Sequence, residues 1–412
     1  RRSLPGDDEI GMDGGAARQD SVRRSGRLRI LHVGKFYPPH MGGIETHLQV
    51  LCEQLQKHVD VRVLVANGAR ETRRERINGV EVTRAATLLK LSAAPICPSM
   101  AAEIRDSKAD IVHLHLPNPA AVLAYLTSGH RGPLVTSYHS DVIRQKVLGP
   151  AFEPILHRLL RRSARIIAAT PNYIESSHVL RAHRGRCSVI PYGIPLDHYR
   201  DVNEEAVAKI RALYGPRLVV SVGRLVYYKG FEYLIRAMRD VEAQLVIVGE
   251  GPLLGRLQSV AGEVGVSERV HFVGKVPDAR PYYQAADVFA LASVARSEAF
   301  GIVQLEAMAS GTPVVNTRLN SGVPYVSLDE ETGLTVPACE PAALATAINR
   351  LLSDSDLRAE FGAAARRRAD NEFSHEVMTG RMLDLYGSIL GKPIAVSQPN
   401  SEVIQQLGMP VA

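Results

Sequence analysis

A chain of 412 residues is too long for one ordinary core and predicts two domains. With 45% hydrophobic and 22% charged residues it has the composition of a soluble globular protein, and no apolar run reaches the roughly 18–20 residues of a membrane span. The first 195 residues carry 28 Lys and Arg against 17 Asp and Glu, the remainder 21 against 26, so an anionic partner is expected on the first half; no nucleic-acid motif accompanies the charge, which argues against nucleic acid.

Residues 1–26, rich in Gly, Asp and Arg, lack the apolar core of a signal peptide and are expected to form a disordered leader. From there short apolar runs alternate with helical patterns. RILHVG (29–34), VRVLVA (61–66), IVHLHL (111–116), LVTSYH (134–139), RIIAAT (165–170) and SVIPYG (188–193) read as buried strands of a first parallel sheet. A polar connection follows, and a domain boundary is expected near residue 196. A second series runs LVVSVG (218–223), QLVIVG (244–249), VHFVG (270–274), DVFALA (287–292) and PVVNT (313–317). Segments between about 340 and 370 and FSHEVMTGRMLDLYGSIL (373–390) read as helices, and the tail 391–412 as flexible. The fold class is therefore α/β, two Rossmann-like domains with parallel sheets facing a cleft, since such sheets bind ligands beyond the carboxyl ends of their strands.

The chemistry-bearing residues fall at those strand ends. YPPHMGGIETH (37–47) leaves the first strand, and its Gly42 and Gly43 permit a close approach to a ligand; Glu45 and His47 are each either a ligand or a helix-capping residue. SYHSD (137–141) places His139 and Asp141 at another strand end, with Asp141 either orienting the imidazole or binding a second substrate. In GRLVYYKG (223–230), Arg224 and Lys229 can converge on a diphosphate. VGEGP (248–252) sets Gly249 and Gly251 around Glu250. SVARSEAFGIVQLEAMASGTPVV (293–315) reads as a strand end, a loop holding Glu298, then Ala299, Phe300 and Gly301 opening a helix that carries Glu306 in its second turn. A helix N-terminus suits phosphate and the two carboxylates suit hydroxyls, a combination built for a nucleotide sugar.

This pattern resembles the E-x7-E signature of the retaining family 4 glycosyltransferases of the GT-B fold, over about residues 28–390. The resemblance implies that Glu298 contacts the donor sugar, Glu306 the ribose, and Arg224 and Lys229 the leaving diphosphate. His139 matches the active-site histidine, Gly42 and Gly43 the cleft loop, and Val273, Gly274 and Val276 the surface against the base. Gly249, Glu250, Ala299, Phe300 and Gly301 complete the donor set; Glu45, His47 and Asp141 are acceptor candidates. It further implies domains 27–195 for the acceptor and 196–372 for the nucleotide sugar, with 373–390 crossing back to the first. No cofactor and no metal is expected. SYHSDVIRQK, RLVYYKGFEYLIRAM and SVARSEAFGIVQLEAMA resemble bacterial surface-polysaccharide and O-antigen mannosyltransferases, which points to GDP-mannose or a related GDP-sugar and a glycan or lipid-linked acceptor. A UDP-sugar donor, a nucleotide-sugar epimerase and a non-catalytic sugar-nucleotide sensor stay open as alternatives. A dinucleotide-binding dehydrogenase is disfavoured because GKFYPPHMGG lacks the G-x-G-x-x-G spacing.

Other patterns are read as structural. Asp354-Ser-Asp356 matches a D-x-D metal motif but is expected to cap a helix. His113 and His115 alternate along IVHLHL and are read as unable to share one face, so no metal site is expected there. RETRRER (70–76) is a basic run, and HRLLRRSARI (157–166) reads either as a helix resting on an anionic membrane or as one packed by its leucines. Cys52, Cys97, Cys187 and Cys339 form no C-x-x-C pair, which argues for a reducing cytoplasm, with peripheral contact at the inner membrane face expected from the basic half.

Overall fold

Two mainly parallel sheets, whose central strands are rich in β-branched residues and buried on both faces, organise the chain. A computed structural model describes residues 27–394 apart from 41, 92, 93 and 142–147; the expected leader and the tail from 395 lie outside the described residues. The first sheet has eight strands in the order Cys187–Val189, Ser163–Ala168, Leu134–Tyr138, Ile111–Leu116, Arg29–Val33, Asp60–Ala66, Val80–Ala85, Arg73–Ile77. The second has six, Val270–Gly274, Gln244–Val248, Leu218–Val222, Val288–Leu291, Val314–Arg318, Gly333–Pro337. All neighbours are parallel except Arg73–Ile77, which turns back on Val80–Ala85. Each predicted strand is present within a few residues of its expected bounds.

The sequence missed the strands that break the period. RETRRER is mostly the edge strand Arg73–Ile77, whose exposed arginines guard its open side against pairing with another chain. HRLLRRSARI is not one helix: helix Leu148–Arg162 ends inside it and strand Ser163–Ala168 begins. Leu159, Leu160 and Ile166 are fully buried in the first-domain core, so the leucine-packing reading holds and these residues are not free to face lipid. Asp354 caps helix Ser355–Phe373, accepting from the Leu357 amide at 2.9 Å, as expected. No described helix is long and apolar enough to cross a membrane.

Two crossings join the domains side by side. Ile194 accepts from the His375 amide and donates to Phe373, so the outgoing chain pairs with the start of helix His375–Leu390. That helix returns to the first domain, where Met378, Met382, Leu383 and Tyr386 pack with Leu48 and Leu51 of helix Gly43–Leu55 over Ile30, Ile111 and Val135 of the sheet.

The carboxyl ends of the second sheet are knit by backbone bonds: the Gly223 amide to Val248, Leu225 to Glu250, and Gly249 to Gly274, all within 2.8–3.0 Å. Gly230 closes the first of these turns with φ +66°, and an added Cβ would overlap the carbonyl oxygen of Ala292. Gly230→Ala is therefore expected to destabilise the fold by about 2–4 kcal/mol, through left-handed strain and the clash together. Denaturant unfolding checks it, and a loss below about 0.5 kcal/mol would refute the packing described for this turn.

Candidate active site

Lys229 and Glu298 form the centre. Lys229 ends the short 3-10 turn Tyr227–Lys229 and lies 2.6 Å from Glu298 Oε2, with both side chains only 10% exposed. The Ser293 hydroxyl donates to the same carboxylate at 3.1 Å, and Lys229 lies 6.0 Å from the Tyr228 ring centroid. The Val294 amide bonds the Tyr228 carbonyl, which ties the loop after strand Val288–Leu291 to the GRLVYYKG turn. Arg224 is exposed at that turn and makes no side-chain hydrogen bond or ion pair among the described residues.

Gly301, with φ +76°, caps helix Ile302–Ala309, whose first amides open toward the same loop. Glu306 follows on that helix, half-buried, and accepts from the hydroxyls of Tyr283 and Tyr199. Burial pushes its carboxyl pKa up, while the two tyrosines and Lys229 act against that shift.

The loop from 293 to 301 also touches the first domain. Arg296 pairs with Asp141 at 2.8 Å, Ala299 packs on the first-domain core, and the Phe300 ring lies 4.7 Å from Tyr192. Asp141 accepts from Tyr138 and Ser177, and its amide donates to the Tyr173 hydroxyl.

His139 is held from both ring nitrogens: Nδ1 meets the Tyr192 hydroxyl at 2.7 Å and Nε2 meets His115 Nδ1 at 3.0 Å. The reading of Asp141 as orienting this imidazole is therefore corrected, since Tyr192 and His115 do so. The reading of His113 and His115 is corrected too. Residues two apart on a strand point the same way, and these rings stack with centroids 4.5 Å apart. His32, on the neighbouring strand, is paired in register with His113, and His47 packs edge-on against His139. His32, His113 and His115, and likewise His47, His115 and His139, each bring a set of ring nitrogens within 4.8 Å of one another. A cation could gather either set only by breaking the His–His hydrogen bonds.

The Glu45 carboxylate folds back over Gly42 at the start of helix Gly43–Leu55, so its position is that of a first-turn cap. Gly249, Glu250, Gly274 and Val276 line the edge where the second sheet's strands end.

The family described as Glycosyltransferase Family 4 matches residues 41–198, and Glycosyl transferases group 1 matches residues 202–368. The D-rhamnosyltransferase WbpZ of Pseudomonas aeruginosa is 35% identical over 347 residues, covering 83% of this chain and 91% of that protein. The chain belongs to the family 4 glycosyltransferases. A GDP-mannose-dependent alpha-(1-6)-phosphatidylinositol monomannoside mannosyltransferase of Mycolicibacterium smegmatis is 30% identical over 86% of this chain and 97% of its own. The GT-B fold is shared with sucrose-phosphate synthase of Thermosynechococcus elongatus, at TM-score 0.75 and 24% identity over 89% of this chain and all of that one.

For this glycosyltransferase, sequence reasoning missed the residues that hold the site: Tyr192, Ser293, Arg296, Tyr283, Tyr199, His32 and His115. The motif context offered one signal, the i, i+2 spacing of His113 and His115, and it was read on the wrong faces.

The buried histidines also set the acid limit of the fold. Burial holds all five imidazoles neutral, lowering His32 to about 3, His47 to about 4 and His113, His115 and His139 well below the ordinary value. A histidine with a depressed folded-state pKa binds its proton first in the unfolded chain. Stability is therefore full above the unfolded value near 6.5 and falls as pH drops toward 4, each histidine contributing up to about 1.4 kcal/mol per pH unit. Denaturant midpoints between pH 7.5 and 5 should fall steeply below pH 6.5; a flat profile would contradict the buried, neutral cluster.

Proposed function

We propose that this glycosyltransferase is a retaining, metal-independent hexosyltransferase of polysaccharide or glycoconjugate biosynthesis. Its donor would be GDP-mannose or a related GDP-sugar, and its acceptor a glycan or lipid-linked saccharide. The observation that carries the reading is the Lys229–Glu298 pair, on a loop that runs through Gly301 into helix Ile302–Ala309, with Arg224 exposed on the turn that carries Lys229. The cations and the helix amides suit a leaving diphosphate, whose growing charge they would stabilise. Glu298, released from Lys229 as the diphosphate takes over that cation, would hold the sugar hydroxyls. Glu306, fixed by Tyr283 and Tyr199, would accept from the ribose.

Among the motif residues no carboxylate stands out as a covalent nucleophile, which favours front-face displacement. The C1–oxygen bond to the diphosphate breaks as the acceptor oxygen bonds C1 on the same face, and the departing phosphate takes the acceptor's proton. Closure of the cleft would exclude the water that otherwise hydrolyses the donor. Arg224 and Lys229 would do what a metal does elsewhere, so EDTA should leave turnover unchanged. The activities of the relatives, rhamnosyl and GDP-mannose-dependent mannosyl transfer, support the donor class. The basic first half supports an anionic, lipid-linked acceptor presented at a membrane surface.

The decisive experiment is release of nucleoside diphosphate from GDP-, UDP-, ADP- and dTDP-sugars, with and without membrane lipid extract. GDP release that rises with extract is expected; release from a UDP-sugar alone would overturn the donor assignment. Glu298→Gln should lower transfer at least about 100-fold in protein still folded at the assay temperature, while leaving Lys229 without its charge partner lowers the melting temperature. Turnover within threefold of the parent would remove Glu298 from its role.

A further inference from the structure

Three imidazoles from three elements converge toward the carboxyl ends of the first sheet's strands. His47 lies on helix Gly43–Leu55, His115 on strand Ile111–Leu116, and His139 directly follows strand Leu134–Tyr138. One ring nitrogen of each lies within 4.8 Å of the other two. His115 Nδ1 and His139 Nε2 are already 3.0 Å apart. Two nitrogens bound to one tetrahedral Zn2+ at about 2.0–2.1 Å sit about 3.3 Å from each other. The His115–His139 pair therefore needs to open by only about 0.3 Å, and His47 to close by at most about 1.5 Å.

The hydrogen bonds around this trio suit a cation and decide between the two histidine sets. His139 Nδ1 meets the Tyr192 hydroxyl at 2.7 Å, and His115 Nε2 meets His32 Nδ1 at 3.0 Å. Each ring can thus keep its proton on the outer nitrogen, donate it outward and turn a lone pair to the shared centre. Outer partners of this kind orient metal-bound imidazoles. His32 passes its own N–H on to the Tyr386 hydroxyl, so no two N–H groups face each other. Only the His115–His139 bond is given up. In the other set His32 and His113 are bonded through both nitrogens, so a cation there would break at least two bonds. His47 supplies an independent observation: it is 6% exposed, packs edge-on against His139, and its Nδ1 is buried without a partner. Burial keeps all three rings neutral, the form that ligates a metal.

We propose that His47, His115 and His139 form a three-histidine site for Zn2+, which clips helix Gly43–Leu55 to the first sheet. Three imidazoles select a transition metal of this kind over Mg2+ and Ca2+, which take oxygen ligands. They leave a fourth position for water or an anionic oxygen. His47 and His139, 6% and 5% exposed, mark the side from which the ion enters. The site adds to the transfer chemistry and does not depend on it, because Arg224 and Lys229, not this cation, meet the diphosphate in that reading.

The test uses the full chain, stripped with EDTA and exchanged into chelator-free buffer. Zn2+ titrated in competition with a chromophoric chelator should fill one tight site per chain, and about a 100-fold excess of Mg2+ should not displace it. No tight equivalent, or displacement by Mg2+, would overturn the proposal. His47→Ala removes a ligand whose Nδ1 has no hydrogen bond to lose, and should weaken Zn2+ at least about 100-fold, the upper end for loss of an outer partner. Affinity within threefold of the parent would sink the site. The rival is a surface cluster, where His157 and His183 lie 2.8 Å apart beside Glu153. His157→Ala should leave the tight equivalent in place; its loss there would move the metal to the surface and overturn the assignment. NMR on the 15N-histidine-labelled parent should show Zn2+ on His115 Nδ1 and His139 Nε2. Metal-bound shifts on His32 and His113 instead would assign the ion to the other set and overturn the proposal. That spectrum is read on the parent, so it decides even if His47→Ala fails to fold. If the parent releases nucleoside diphosphate from no donor, the transferase reading fails while the zinc result stands on its own.

Discussion

The contact between Lys229 and Glu298 shapes everything around the cleft. Two opposite charges 2.6 Å apart and nearly shielded from water are costly to separate, since removing one partner strands the other at about 3–5 kcal/mol. That pair pins the loop from 293 to 301 onto the GRLVYYKG turn. The pinned loop then places Arg296 against Asp141 and Phe300 against Tyr192, so a local ion pair in one domain determines how the other is met. The glycines at 230 and 301 are needed because the backbone must pass close by at positive φ on both sides of this contact.

The first domain meets this loop with a sheet face that changes character along its strands. Ile30, Ile111 and Val135 pack under the returning helix as an ordinary apolar layer. Two residues on, the same face carries His32, His113 and Ser137, and further toward the strand ends His115 and His139. An apolar layer there would bury as well and cost less. Imidazoles are tolerated because they bond one another in series; among the described residues His47 Nδ1 is the one fully buried histidine nitrogen of this cluster left without a partner. The face thus supplies stability at one end and directed polar groups at the other.

The fold was legible in the chain, and so were the motifs that the structure brings to the candidate site. β-branched runs separated by helical patterns gave the strands of both sheets, and glycine with charge at the strand ends marked GRLVYYKG, VGEGP and the E-x7-E loop before any geometry was available. Where the reading failed, the cause was physical. RETRRER looked like a solvated run because an edge strand that must repel other strands carries charge in place of the apolar alternation. HRLLRRSARI hid a helix end because leucine and isoleucine fill a core equally well from a helix or a strand. The His113–His115 pair was placed on opposite faces although a period of two puts such residues on one.

The amino-acid sequence alone determined the α/β architecture, the two-domain plan and the family, because these rest on local periodicity and on short motifs whose residues are neighbours in the chain. Only the tertiary structure decided which polar groups face one another. Tyr386 reaches His113 across 273 residues and Arg296 reaches Asp141 across 155. Such contacts depend on strand order and on the return of the last helix, and a hydrogen bond forms only where that packing brings a donor and an acceptor within about 3 Å.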